Sequence, residues 1–510
     1  MNINYRINIY NFLFGLIFII LPFFDFININ YLILDKSVIF TLSYIFLFVL
    51  ALLYLIQLVI NNSTFKKINF IFLFLRIFFF FSFNFYEIKK FISLFTIHNF
   101  YVSSFLIILF YGLLFKFLSL NIIKKFFYFY GVFLLIYNCF LLYTNFNNLH
   151  KNIYDPNVEQ KIFNNQKIYK NDQIENIYFF ILDGMTSVNY FRTSFKESDN
   201  VYLNIHIDLM DDNNFIFHQN TLSNYNSTYL SLASIMQLDY PVIDTSPKYF
   251  DRGTFWPYLM SNPKKKPRLM RILEENKISF KWYGNITASC KNYSYNKDFC
   301  PKKSVSNFFY VFNSFFKKTP LIIILRKSFP EFMLSGYGDN IDSIKTFLSD
   351  FKELDLNTKT FYLIHHLAPH PPYIHNSDCS IKDENKSFIT DKDFSGYKDA
   401  YACAIKMINK SVKIINENDK NALIVFTADH GWILKEKKGI DENLLKFDIY
   451  NSFKIKNDCK RFVDEKMDLI STTRLILGCN INNEPIFTNK NSYIGFQEKN
   501  EKFGEIIKAF

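Results

Sequence analysis

Hydrophobic residues follow two patterns along this chain. Up to about residue 148 they form long runs, at 9–27, 36–60, 67–84, 101–120 and 125–145. A helix that spans a bilayer needs roughly 20 apolar residues, so the pattern predicts five spans and a transmembrane domain over 1–148. Residues 149–176 are polar and rich in Asn and Lys, as a linker is. From 177 onward the runs shorten. IYFFILDG (177–184), SFKWYG (279–284), TFYLIHHL (360–367) and ALIVFTAD (422–429) are apolar runs, most closing on turn residues, which predicts buried strands. Between them lie helical patterns. TYLSLASIM (228–236) brings Leu230, Ala233 and Ile235 or Met236 to one face; 394–417 is long and amphipathic; 464–478 ends at Gly478. Strands alternating with helices predict an α/β domain over 177–510, with a mostly parallel sheet covered on both faces. The expected architecture is therefore an α-helical transmembrane domain followed by an α/β domain.

Charge sets the expected orientation. Lys66 and Lys67 fall between the second and third runs, Lys124 and Lys125 between the fourth and fifth, and Asp25 and Asp35 flank the first outer loop. Positive-inside then puts the N-terminus in the cytoplasm, although Lys89 and Lys90 oppose it. Five spans would place everything after 148 outside, which in a Gram-negative cell is the periplasm, on the inner membrane. The formal net charge is +12, but the basic residues do not cluster with aromatics, and KKKPR at 264–268 reads as a surface loop. Nucleic acid is therefore not an expected partner. Six of the seven Cys lie after 148, and the local pairs Cys290–Cys300 and Cys459–Cys479 are candidate disulfides.

Ligands of an open parallel sheet collect beyond the carboxyl ends of its strands. Asp183, His370, Asp429 and His430 all fall there by pattern. Two carboxylates and an imidazole suit one divalent cation, zinc first and manganese next, better than magnesium or calcium. Zinc wants a fourth ligand, and a hydroxyl whose pKa the metal lowers becomes a nucleophile. Thr228 opens a helix, where free backbone N–H groups and the helix dipole favour an alkoxide or a phosphoryl oxygen. Ser227 and Ser231 are rival hydroxyls. Taken singly, each residue has a plainer role: a Thr at a helix start caps it, an Asp closing a strand turns the chain, and HPPY makes a rigid loop. The ordered set carries the reading.

That set resembles the alkaline phosphatase and sulfatase superfamily, and within it the membrane-anchored branch of phosphoethanolamine transferases and lipoteichoic acid synthases. ILDG resembles the first metal-binding strand, and TYLSLAS the nucleophile helix, with a Thr followed three residues on by Ser. HHLAPHPPY resembles the stretch carrying a substrate-side His, and ADHG the final ligand pair. The resemblance implies Asp183, Thr228, Asp429 and His430 as metal ligands, Thr228 and His370 as catalytic residues, and Ser231, Asn226 and Trp432 as substrate contacts. It further implies transfer of a phospho-head-group from a membrane lipid donor to an envelope glycan or lipid, with a sulfatase-like or phosphodiesterase hydrolase and a non-catalytic envelope protein as alternatives. Three departures stand out, the first being Trp432 after DHG, where the family often has Glu. There is no C-x-P-x-R, so a formylglycine nucleophile is not expected, and no His follows His430, where the transferases carry another.

Overall fold

The computed structural model of the protein describes residues 20–24, 26–28, 36–61, 120–148, 161–169, 174–195, 201–219, 221–240, 267–284, 315, 343–371, 373–382, 394–432, 446–465, 467–487, 492–495 and 506–508. The chain divides into two compact units, Met1–Lys151 with Val305–Gly336, and Asn152–Ser304 with Tyr337–Phe510.

The first unit contains helices α1 (Lys36–Asn61) and α2 (Leu120–Asn148). Asn28 Nδ2 donates to the backbone carbonyl of Asn138 on α2 (2.9 Å) and to its side-chain oxygen (2.8 Å). Among the described residues no helix is long and apolar enough to cross a membrane. This overturns the predicted transmembrane domain and the multi-pass inner-membrane topology drawn from it. The predicted run at 67–84, all of 101–120 but its last residue, and most of 9–27 lie outside the described residues.

The second unit is built on a six-stranded sheet. Its strands are β2 (Ile177–Leu182), β3 (Ile216–Phe217), β4 (Ser279–Tyr283), β5 (Thr360–His366), β6 (Leu423–Thr427) and β7 (Asn451–Lys454), in the order β3-β7-β6-β2-β5-β4. The four inner and edge strands predicted from apolar runs, β4, β5, β2 and β6, run parallel; β7 and β3 extend the sheet antiparallel. β2 lies at the centre and all six of its residues are buried. Burying one such large side chain contributes roughly 1.5–3 kcal/mol, which is why these strands are oily on both faces.

Both faces are covered by helices. On the side carrying Tyr178 and Phe180, Phe347 of α7 (Ser343–Asp350) packs edge-on to both rings. Against α7 lies α8 (Phe394–Asn418), joined by α4 (Val201–Asp212). On the other side α9 (Leu469–Asn480) packs on β6 and α6 (Arg268–Glu275) on β4, with α5 (Thr228–Gln237) against both helices. α9 begins later than the predicted 464 because Asp468 is its cap, its carboxylate accepting from the Ser471 backbone N–H at 2.6 Å. A short helix α3 (Val188–Phe195) follows β2, and a two-stranded pair of β1 (Phe163–Lys167) and β8 (Asn483–Pro485) lies beside α9. The expected Cys459–Cys479 disulfide forms, and so does Cys379–Cys403, which was not anticipated. Cys290 and Cys300 lie outside the described residues.

Candidate metal centre

Strand register brings the acids together. β2 is flanked by β5 and β6, with Ile181 level with His365 on one side and Thr427 on the other. Side chains alternate faces along a strand, so Asp183, His365 and Asp429 emerge on one face while His366 faces the other. His366 accordingly meets Ser343 of α7 (Nδ1 to Oγ, 3.3 Å). The chain turns sharply after Asp183 because Gly184 has φ +70°, a conformation that glycine adopts without strain. That turn is locked across the sheet: the Gly184 N–H donates to Asp429 Oδ1 at 3.0 Å, and the His430 N–H donates to the same oxygen at 2.9 Å.

The polar atoms then converge. Asp183 Oδ1 lies 3.5 Å from His430 Nε2, and Asp183 Oδ2 lies 3.5 Å from His365 Nε2. His430 Nε2 is also 3.6 Å from Asp429 Oδ2. Thr228 Oγ1 sits 3.5 Å from Asp183 Oδ1 and 3.3 Å from His430 Nε2. Two overlapping groups have ligand atoms all within 4.8 Å of one another: Asp183 with His370 and His430, and Asp183 with His365 and Asp429. Asp183 and Asp429 are buried, at 1% and 0% exposure.

The donor set fits a cation. His430 Nδ1 is 2.8 Å from the Gly431 carbonyl and His370 Nδ1 is 2.6 Å from that of Pro371, so each Nδ1 carries the proton. In the neutral ring Nε2 of His430 is then a lone pair facing carboxylate oxygens, an arrangement that a positive charge must relieve. Asp429 Oδ2 is buried with no hydrogen-bond partner, which a native core rarely tolerates without an ordered water or an ion. Burial alone would raise the Asp183 carboxyl, but the imidazoles of His370, His365 and His430 overcome it and hold it at about 2. Burial pulls His430 down, yet the Asp429 and Asp183 carboxylates outweigh it and raise its pKa. A buried Asp/His cluster capable of holding a divalent metal is thus present.

The remaining sequence candidates lie around this cluster. Thr228 is the first residue of α5; Ser227 is the cap, extended at φ −144° and making no side-chain cap bond. The first N–H groups of α5 have no partner within the helix. Ser231 is buried and donates to the Tyr225 carbonyl at 3.1 Å, so its hydroxyl is engaged away from the cluster. Asn226 is half-buried on the loop before α5. Trp432 stands beside the cluster, its ring 5.2 Å from that of His370 and 6.3 Å from that of His430. His365 was not picked out from the sequence. Its signal was there: counting in twos along two adjacent parallel strands puts it in phase with Asp183.

The sulfatase family model matches residues 175–458. The chain belongs to the sulfatase family. Within it, the predicted membership of a membrane-anchored branch does not stand, since among the described residues no helix is long and apolar enough to cross a membrane. No curated protein matches the sequence. Among solved structures, the C-terminal periplasmic domain of EcEptC from Escherichia coli is 13% identical, covering 69% of this chain and 97% of that one, with a TM-score of 0.40. A Bacteroides thetaiotaomicron structure from work on the metabolism of multiple glycosaminoglycans is 10% identical, with 66% and 84% covered and a TM-score of 0.42. The lipooligosaccharide phosphoethanolamine transferase A from Neisseria meningitidis is 9% identical, with 70% and 68% covered and a TM-score of 0.37. A sulfatase-family fold with a buried Asp/His cluster suited to a catalytic metal is consistent with an enzyme that transfers or hydrolyses phosphate or sulfate esters.

Proposed function

We propose that this sulfatase-family protein transfers a phospho-head-group, of phosphoethanolamine or phosphoglycerol type, through a covalent phospho-threonine at Thr228. The donor is a lipid phosphodiester and the acceptor a hydroxyl on an envelope glycan or lipid. The observation that carries the reading is the approach of Thr228 Oγ1 to Asp183 Oδ1 (3.5 Å) and His430 Nε2 (3.3 Å) at the start of α5. Asp183, Asp429, His430 and Thr228 would hold the metal, zinc by the mixed oxygen and nitrogen donors. A bound zinc supplies Lewis acidity, lowering the threonine hydroxyl's pKa and neutralising charge on the phosphoryl group.

The chain's own residues do the rest. Thr228 Oγ1 loses its proton and bonds to phosphorus, while the bond from phosphorus to the lipid oxygen breaks and that oxygen is protonated. The free N–H groups of α5 receive phosphoryl oxygens. His370, its Nδ1 proton committed to the Pro371 carbonyl, leaves Nε2 free to take up the proton released from Thr228; the imidazolium so formed then steadies a phosphoryl oxygen or protonates the leaving one. In the second step the acceptor hydroxyl oxygen bonds to phosphorus, the bond from phosphorus to Thr228 Oγ1 breaks, and the acceptor's proton passes to Thr228 Oγ1, restoring the hydroxyl. His365, on the far side of Asp183, orients that carboxylate.

Metal-loaded protein incubated with a phospholipid labelled in its head group should leave label on the Thr228 peptide, and Thr228→Ala should abolish it. Turnover that survives Thr228→Ala, with no label on the wild-type peptide, refutes the covalent route. Release of the group to water in the presence of organic acceptors identifies a hydrolase instead.

A further inference from the structure

Helix α8 contributes no candidate ligand, yet it grips the turn that aims Asp183. The Tyr397 hydroxyl donates to the Gly184 carbonyl at 3.0 Å and accepts from the Thr186 backbone N–H at 3.1 Å. The Gly184 peptide units are therefore held from two sides, the N–H by Asp429 and the carbonyl by Tyr397. One turn further along α8, Tyr401 donates to the Thr186 carbonyl at 3.2 Å. Both rings are fully buried, and burial holds the Tyr397 phenol well above its usual range, so it remains a donor.

The same helix holds the segment that follows His370. Gly396 lies so close to Tyr373 that a Cβ there would sit 2.6 Å from its ring. Cys403 is bonded to Cys379, and Asp399 pairs with the largely buried Lys382 at 2.9 Å. The first turns of α8 thus touch two separate strand-to-loop junctions, one bearing Asp183 and the other His370.

We infer that Tyr397 is a positioning residue for the metal centre, fixing the 183–186 turn so that the Asp183 carboxylate faces His430 and Thr228. The inference rests on the metal-centre reading proposed above. An ordinary packing tyrosine would lend only stability. A positioning tyrosine sets the geometry of a ligand; partners bonded directly to a ligand alter metal affinity about 10- to 100-fold, and Tyr397, which holds the adjoining peptide, belongs at the low end.

The test compares wild type, Tyr397→Phe and Tyr401→Phe as full-length chains. Phenylalanine keeps the ring that packs against Tyr373 and Tyr401 and removes only the hydroxyl. Zinc affinity is read by competition with a chromophoric chelator, and site geometry by the visible spectrum of the cobalt-loaded protein. Tyr397→Phe should bind zinc about 10-fold more weakly and show an altered cobalt spectrum. Tyr401→Phe, which loses a bond one peptide further from Asp183, should stay within about twofold of wild type. Equal weakening in both variants, or wild-type affinity and spectrum in Tyr397→Phe despite a lower melting temperature, overturns the inference while leaving the metal centre intact. Wild-type protein that binds no divalent metal overturns both.

Discussion

Replacing Gly184 with alanine tests whether the turn after Asp183 is shaped by backbone or by packing. The residue sits at φ +70°, where an L-residue costs roughly 1–2 kcal/mol. Space adds nothing to that cost. A Cβ at Gly184 would lie 3.5 Å from Trp432 Cε3, 3.6 Å from His370 Cδ2 and 3.6 Å from His430 Cε1, all ordinary contacts. Alanine restricts the unfolded chain, which returns about 0.5 kcal/mol. The net loss should be about 1 kcal/mol, a shift of about 2–4 °C in melting temperature for a domain of this general size. Gly396→Ala is the contrast: the clash with Tyr373 is steric, and overpacking of that kind costs about 1–3 kcal/mol. Denaturant unfolding of metal-free protein measures both. A Gly184→Ala loss below about 0.3 kcal/mol would mean that the positive φ is not required, and one above about 3 kcal/mol would mean that the three side chains crowd the site more than the distances allow. Either result refutes the reasoning.

Other outcomes follow from the same geometry. Zinc at about 100 times its dissociation constant should stabilise the protein by roughly 2.7 kcal/mol. Asp429→Asn should abolish that gain while folding normally, because the amide oxygen can still accept from the Gly184 and His430 N–H groups; a calorimetric scan with and without zinc decides it. Two groups away from the Asp/His cluster, buried His206 and half-buried Asp448, should pull stability in opposite directions with pH. Burial lowers His206 to about 4 despite its bond to Asn409, so stability is full above pH 6.5 and is lost as pH falls toward 4, by roughly 3 kcal/mol. Burial raises Asp448 to about 6 despite its bond from Ser187, so stability is full below pH 3.8 and is lost as pH rises toward 6, by a similar amount. Between pH 4 and 6 the two should nearly cancel; Asp448→Asn should expose a rise with pH and His206→Asn a fall, and parallel curves in the two variants would contradict both assignments.

The sheet was the most legible part of the sequence, for a physical reason. Strands buried on both faces must be oily throughout, and IYFFIL, FYLIH and LIVFT end where a polar residue first becomes tolerable. That logic alone sets Asp183, His370 and Asp429 at one edge. The helix from Thr228 was equally readable, although its cap is Ser227, because residues at the cap and first position differ by one place and carry similar chemistry. His365 went unread because strand order is not written in any single strand; only the adjacency of β2 and β5 gives it meaning. Tyr397 meets Gly184 across 213 residues, with no local signal; Cys379–Cys403 spans 24 residues, close to the 20 of the pair that was read, but connectivity among several cysteines is not fixed by spacing. The predicted membrane domain came from hydropathy runs alone.

The separation of the ligands along the polymer has a consequence for how the protein matures. The hydrogen bond from Gly184 to Asp429 joins residues 245 positions apart, and no described fragment between them holds a complete donor set. During synthesis the first acid must wait, unpaired, while most of the domain is made, and cation capture can only be a late event that reports on finished assembly. Contacts so distant in sequence also close slowly. Truncation anywhere before His430 should therefore yield a chain that no amount of added metal rescues.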